Sequence, residues 1–167
     1  MNPERPLVRA LPRWEDLPNL DLYMDQVLTL SDQVLGPLNV KPITAAMINN
    51  YVKLKLIPPP IHKRYTRKHV AFILAIAILK DVFEIAQIRD GILLETSTMD
   101  LKEAYNRFVG EIEQAMGWVE AQSQAQSPQA LFDPSSHPHQ IMTLAALTFA
   151  AQRQAKALIS AKGAPHD

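Results

Sequence analysis

Three consecutive prolines, Pro58-Pro59-Pro60, limit how this chain can fold more than any other feature. Proline fixes φ, removes a backbone donor and steers the residue before it away from the helical region. No helix crosses such a run, so one helix must end near Leu56 and another must begin well beyond Pro60. The prolines also sit inside Lys41–Lys80, a stretch with eight Lys/Arg and no Asp or Glu. The whole chain is formally neutral, so its flanks are acidic: the net charge is −3 over residues 1–40 and −5 over residues 81–167. Charge segregated in this way makes a field that attracts anions.

The pattern on either side of the prolines is helical. Thr44, Met47, Ile48, Tyr51, Val52 and Leu56 form one stripe, with Asn49, Asn50, Lys53 and Lys55 on the opposite face. After the prolines, Ile61–Thr66 is too short for a helix and suits an extended ribbon or a tight wing. Thr66 then caps a helix whose residues Val70, Ile73, Leu74, Ile76, Ala77, Leu79 and Phe83 leave almost no polar face, so it must be covered on most sides. Upstream, Leu20, Tyr23, Val27, Leu30 and Val34 recur at threes and fours. They predict a helix capped by Asn19 or Asp21 and stopped by Gly36-Pro37 near Leu35. Residues 1–18 read as an arm anchored by Trp14 and Leu17.

Beyond Lys80 the pattern predicts a break at Asp81–Phe83 and a short turn over Glu84–Gly91. A long helix is expected from Ser97 or Thr98, with Asp100 and Glu103 in its first turns, where carboxylates complement the helix dipole. Its seam of Leu101, Tyr105, Phe108, Ile112, Ala115/Met116 and Val119 has the narrow spacing of helix pairing. Residues 121–139 are rich in Ser, Gln and Pro and read as a linker. A last helix is expected from about His139 to Ala161, with alanines at 145, 146, 150, 151, 155 and 157 and apolar Ile141, Leu144, Leu147 and Leu158.

Several chemistries are excluded or disfavoured. With no cysteine there is no disulfide and no thiolate metal site. The longest apolar run, Val70–Leu79, is about half the ~20 residues a membrane span needs. The first residues lack the apolar core of a signal peptide. A cytoplasmic protein without membrane association is therefore expected. No P-loop, GxGxxG or GxSxG is present, and Ser135, Ser136 and His137 lack an evident base and orienting group. His137-Pro138-His139 offers two imidazoles where metal sites usually need three or four ligands. No enzyme, cofactor or metal is expected.

The basic stretch carries the better candidate. Affinity for DNA comes largely from Lys and Arg at phosphates, and sequence reading from side chains on a helix in the major groove. Asn49 and Asn50 can pair with adenine, and Lys53 can reach guanine or phosphate. Lys55, Lys63, Arg64, Arg67 and Lys68 add charge, and Thr44 opens the helix. His62 and His69 are expected to face phosphate or solvent, and Tyr51 and Tyr65 to lie in the core.

The order of these residues adds a resemblance. Ile43-Thr44, INNYVKLKLIPPP over 48–60, KRYT over 63–66 and FEIAQI over 83–88 resemble the winged helix-turn-helix of the MerR family. There a recognition helix ends in Leu-Leu/Ile-Pro-Pro, and a wing with Tyr-Arg-x-Tyr-Ser/Thr leads to a helix pair. LPNLDLYMDQVLTL over 17–30, together with the segment from Ile43 to Val70, looks more closely like the YkrK-like bacterial family, a domain of unknown function. Three departures stand out: Pro60–Arg64 is shorter than a usual MerR wing, the first helix of the motif is longer and begins further upstream, and the chain lacks that family's metal-binding cysteines.

The resemblance implies a mainly α fold: a MerR-like winged helix-turn-helix over 19–96 with a C-terminal helical extension. That extension comprises a dimerisation helix at 97–126, a loop at 127–138 and a helix at 139–162. It places the DNA-binding residues at Thr44, Asn49, Asn50, Lys53, Lys55, Lys63, Arg64, Arg67 and Lys68. The expected partners are double-stranded DNA and a second copy of the chain, joined through residues 97–126. Two other readings compete with that of a transcriptional regulator. One is a helical protein–protein adaptor that keeps the scaffold without binding DNA. The other adds a small-molecule effector pocket under the C-terminal helices.

Overall fold

A computed structural model describes residues 11–124 and 140–163, with side chains for 11–121 and 140–157. Among these residues the architecture is mainly α, with no named strand. The helices are α1 (Met24–Leu35), α2 (Ala45–Lys53), α3 (Arg67–Leu79), α4 (Ile85–Thr98), α5 (Leu101–Gln124) and α6 (Gln140–Gly163). Two 3₁₀ turns occupy Trp14–Asp16 and Gly36–Leu38. The chain forms two compact units that part between Val109 and Gly110, within α5.

The core of the first unit follows from the apolar helix after the prolines. Val70, Ala71, Ile73, Leu74, Ile76, Ala77 and Ile78 on α3 are all buried, and α1 packs against this helix. A helix apolar on nearly every side needs such cover, because each exposed aliphatic side chain forgoes roughly 1.5–3 kcal/mol of burial.

α1 starts later than its pattern predicts. Leu22 and Tyr65 form an antiparallel bridge in which each N–H donates to the other's carbonyl, both at 2.8 Å. Leu22 is therefore committed to extended backbone, and Tyr23 becomes the N-cap, its N–H donating to Gln26 Oε1 at 2.9 Å. The buried positions are Val27, Ser31 and Leu35, whereas Leu20 and Tyr23 are exposed. Ser31 is tolerated inside because its hydroxyl donates to the Val27 carbonyl at 2.8 Å. At its end α1 passes into the Gly36–Leu38 turn, and the chain leaves that turn at Asn39, whose φ is 55°.

α4 corrects the expectation of a short turn over Glu84–Gly91. The chain does turn after α3, with Val82 and Phe83 both donating to the Leu79 carbonyl. The Glu84 N–H then donates to Gln87 Oε1 at 3.0 Å, and a full helix follows. Of its residues only Ile88 is buried, so it lacks the stripe by which a helix is recognised.

The N-terminal segment docks on the first turns of α5. Leu11 and Leu17 are buried, and Trp14 meets Tyr105 edge-on at 6.3 Å between ring centroids. Tyr105 donates its hydroxyl to the Pro12 carbonyl at 3.0 Å, and burial raises its phenol well above the ordinary value. Asn106 accepts the Trp14 N–H at 2.7 Å through its side chain and Arg13 Nη1 at 3.0 Å through its carbonyl. α5 itself starts at Leu101 rather than Ser97 or Thr98, because Asp100 Oδ1 accepts the Glu103 N–H at 2.8 Å and acts as the cap.

In the second unit Ile112, Ala115 and Met116 of α5 and Met142, Ala146, Phe149 and Ala150 of α6 are buried. Ile141 and Leu144 are exposed. The expected linker gives way to helix as far as Gln124. Its remainder, with Ser135, Ser136, His137 and His139, lies outside the described residues. No described helix is long and apolar enough to cross a membrane.

Candidate nucleic-acid interface

The site begins with α2. Thr44 caps it, its Oγ1 accepting the Met47 N–H at 3.2 Å. Ile48, Tyr51 and Leu56 are buried, which fixes the helix's rotation about its axis. Ala46, Asn49, Asn50 and Lys53 then face outward. Their spacing of i, i+3, i+4 and i+7 makes a single face. The side-chain amides of Asn49 and Asn50 make no hydrogen bond with the described residues.

α2 ends in a Schellman motif before the prolines take effect. Leu56 N–H donates to the Tyr51 carbonyl at 2.9 Å and Lys55 N–H to the Val52 carbonyl at 3.0 Å. Lys55 occupies the left-handed position, φ 57°, where glycine is usual. The same holds at the next turn. Ile61 and Arg64 exchange both backbone hydrogen bonds, at 3.1 and 2.8 Å, across a two-residue turn. Its central residues His62 and Lys63 have φ 49° and 61°. Positive φ at both positions is the type I′ hairpin turn, which favours Asn-Gly. Lys55, His62 and Lys63 are all exposed. Three basic or imidazole side chains thus stand where a residue without a side chain would be less strained.

The remaining cations divide. Lys68 is exposed in the first turn of α3. Arg64 is half-buried and lies over the Tyr23 ring, 3.8 Å from its centroid. Arg67 was expected at phosphate, but its Nε donates to the Leu17 carbonyl at 3.1 Å and its Nη1 lies 3.6 Å from Glu15. Glu15 also pairs with Lys102. The Lys102 hydrogen bond, then its charge and that of Arg67, hold the Glu15 carboxyl below its ordinary value. Arg67 therefore ties the N-terminal segment to α3 and is not a free cation. Lys41, Lys53, Lys55, Lys63 and Lys68 form no ion pair with a described residue.

His69 differs from expectation because it is buried. Its Nδ1 accepts the Thr66 N–H at 3.0 Å, and its Nε2 lies 3.2 Å from the Pro59 carbonyl. A carbonyl only accepts, so the ring proton sits on Nε2. The ring thereby joins the start of α3 to the proline run, and an edge-on contact with Tyr65 supports it. Tyr51 and Tyr65 lie in the core as expected, and burial raises both phenols.

The sequence reading missed Ala46, whose signal was its spacing of three from Asn49, and Tyr23, whose place beside Arg64 no local pattern announces. No described group of three or more His, Asp or Glu can hold a metal ion. An open groove of about 650 Å³ along α5, lined by Asp100, Lys102, Glu103, Asn106 and Arg107, carries both signs of charge. Its cations already face carboxylates, with Lys102 on Glu15 and Arg107 on Glu103.

Residues 12–108 match the model of a family described as Domain of unknown function (DUF1836), a span that ends one residue before the first unit does. No curated protein and no solved structure matches the chain.

Proposed function

The chain belongs to the DUF1836 family of domains of unknown function, and from that premise we propose that it is a transcriptional regulator that binds double-stranded DNA. In this reading residues 19–96 act as a winged helix-turn-helix of MerR-like type, akin to the YkrK-like group, in the cytoplasm. α2 enters the major groove, and the Ile61–Arg64 hairpin serves as a short wing. Lys55, Lys63, Arg64 and Lys68 meet phosphates. It acts by binding and not by catalysis.

One observation carries the reading. The outward face of α2 bears two amides that no described residue engages, Lys53, no carboxylate, and a surround of lysines that form no ion pair with a described residue. A merely solvated face would gain from interspersed carboxylates, and this one has none. Two copies pair through α5 and read a two-fold related site. The seam expected for that pairing is covered within one chain, since Tyr105, Phe108, Ile112 and Met116 are buried. The second copy therefore meets the face of α5 that bears Gln114, Gly117 and Ala121, which are exposed.

The test is retention of random duplex DNA by the purified protein at two salt concentrations. Four phosphate contacts per copy predict a log–log salt slope between about −3 and −4 per copy. Binding that is absent at low salt, or insensitive to salt, overturns the proposal. The adaptor reading draws on a different observation, the exposed Leu93 and Leu94 of α4 and Ile141 and Leu144 of α6. Capture of a defined protein partner, with no DNA retained, would favour it.

A further inference from the structure

We infer that the reading face of α2 selects A·T base pairs, so that each half-site centres on a short A·T run. This rests on the proposed binding of duplex DNA and specifies which duplex. The face consists of Ala46, Asn49, Asn50 and Lys53, all exposed, on the side of α2 opposite the buried Ile48 and Tyr51. Its chemistry is narrow. An asparagine amide pairs with adenine through two hydrogen bonds: its oxygen accepts from N6–H while its nitrogen donates to N7. An alanine methyl packs on the thymine methyl. The face has no arginine, the commonest reader of guanine, and no carboxylate to accept from cytosine N4. Only Lys53, at the C-terminal end, can address guanine, and it can equally address phosphate.

Geometry limits the length read. From Ala46 to Lys53 the helix advances about 10 Å, or about three base-pair steps of ~3.4 Å. Adjacent Asn49 and Asn50 differ in direction by about 100°, so they address neighbouring pairs or opposite strands of one pair. Thr44 stands at the cap with its Oγ1 held by the Met47 N–H, and Lys55 lies past the end of the helix. Neither extends the reading face. The predicted core is therefore about three pairs, with A·T at the positions facing Ala46, Asn49 and Asn50.

The experiment selects binders from random duplex DNA and sequences the retained pool. The best binder is then remade with 7-deazaadenine, which keeps Watson–Crick pairing but lacks the N7 acceptor. The inference expects an A·T core and about tenfold weaker binding on the single deaza substitution. It also expects the deaza penalty to vanish in Asn49→Ala or Asn50→Ala, whichever faces that adenine, with the helical signal unchanged. A retained pool with a G·C core or no sequence preference overturns the inference and leaves DNA binding standing. So does a deaza penalty that persists in both variants. A pool with no retained DNA overturns both.

Discussion

The hairpin tip sets stability against charge, and one double substitution separates the two. In His62→Asn/Lys63→Gly the turn acquires Asn-Gly, the pair that type I′ geometry favours. The left-handed conformation costs an L-residue roughly 1–2 kcal/mol. The cost at His62 is smaller, since histidine visits this region more often than most residues. Lys63, at φ 61°, has no such allowance. Glycine gives back ~0.5–1 kcal/mol through its freedom in the unfolded chain. The expected net gain is about 1 kcal/mol, a rise in melting temperature of about 4–8 °C for a domain of this size. Both flanking hydrogen bonds, Ile61 to Arg64 and back, are backbone bonds and survive the change. The same variant loses one cation, so the salt slope of DNA binding should fall by about 0.9. Thermal denaturation followed by circular dichroism reads the first effect, and DNA titration at several salt concentrations reads the second. A lower melting temperature would refute the turn assignment and the strain argument together. A raised melting temperature with an unchanged slope would refute a phosphate contact for Lys63 alone.

Three further outcomes test other parts of the account. Ile73→Ala, at a fully buried position of α3, should cost about 2–5 kcal/mol in urea denaturation; a loss below 1 kcal/mol would mean that α3 is not the core helix. Tyr23→Ala should weaken DNA binding about two- to fivefold by releasing Arg64, whereas Tyr23→Phe should keep it, as a cation–π contact of ~0.5–1 kcal/mol requires. Because the Glu15 carboxyl is held below its ordinary 4.5, its contribution to stability is present above that pH and fades as pH falls through the lowered value. Glu15→Gln should therefore show less loss of stability between neutral and acid pH than the native chain, and equal losses would count against the pairing with Lys102 and Arg67.

How much of this was legible depended on whether local pattern or remote contact decided the outcome. The α2 stripe and the proline run are local, and Ile48, Tyr51 and Leu56 are buried where the spacing puts them. α3 was equally plain, since a helix with no polar face has few alternatives. α4 was lost because its one buried residue leaves no period to detect. The start of α1 was misplaced because Tyr65, remote in sequence, holds Leu22 extended. His69 looked like a surface imidazole among lysines. Its burial comes from bonds to Thr66 and Pro59, and only the second of these lies outside its own helix turn. Arg67 was counted with its basic neighbours because nothing in the segment reveals that Glu15 reaches it.

The bridge between Leu22 and Tyr65 also bears on how the domain can be dissected. It closes a loop that contains α1 and α2 entire, and α2, at nine residues, is shorter than the ~12–15 that hold a helix alone in water. A synthetic peptide of Lys41–Lys80 would keep every cation and both asparagines yet lack the partner that holds Tyr65, and α2 within it would be mostly coil. On the proposed reading, recognition belongs to the closed loop, and minimal fragments or grafts that test it must carry Leu22 along with the basic segment.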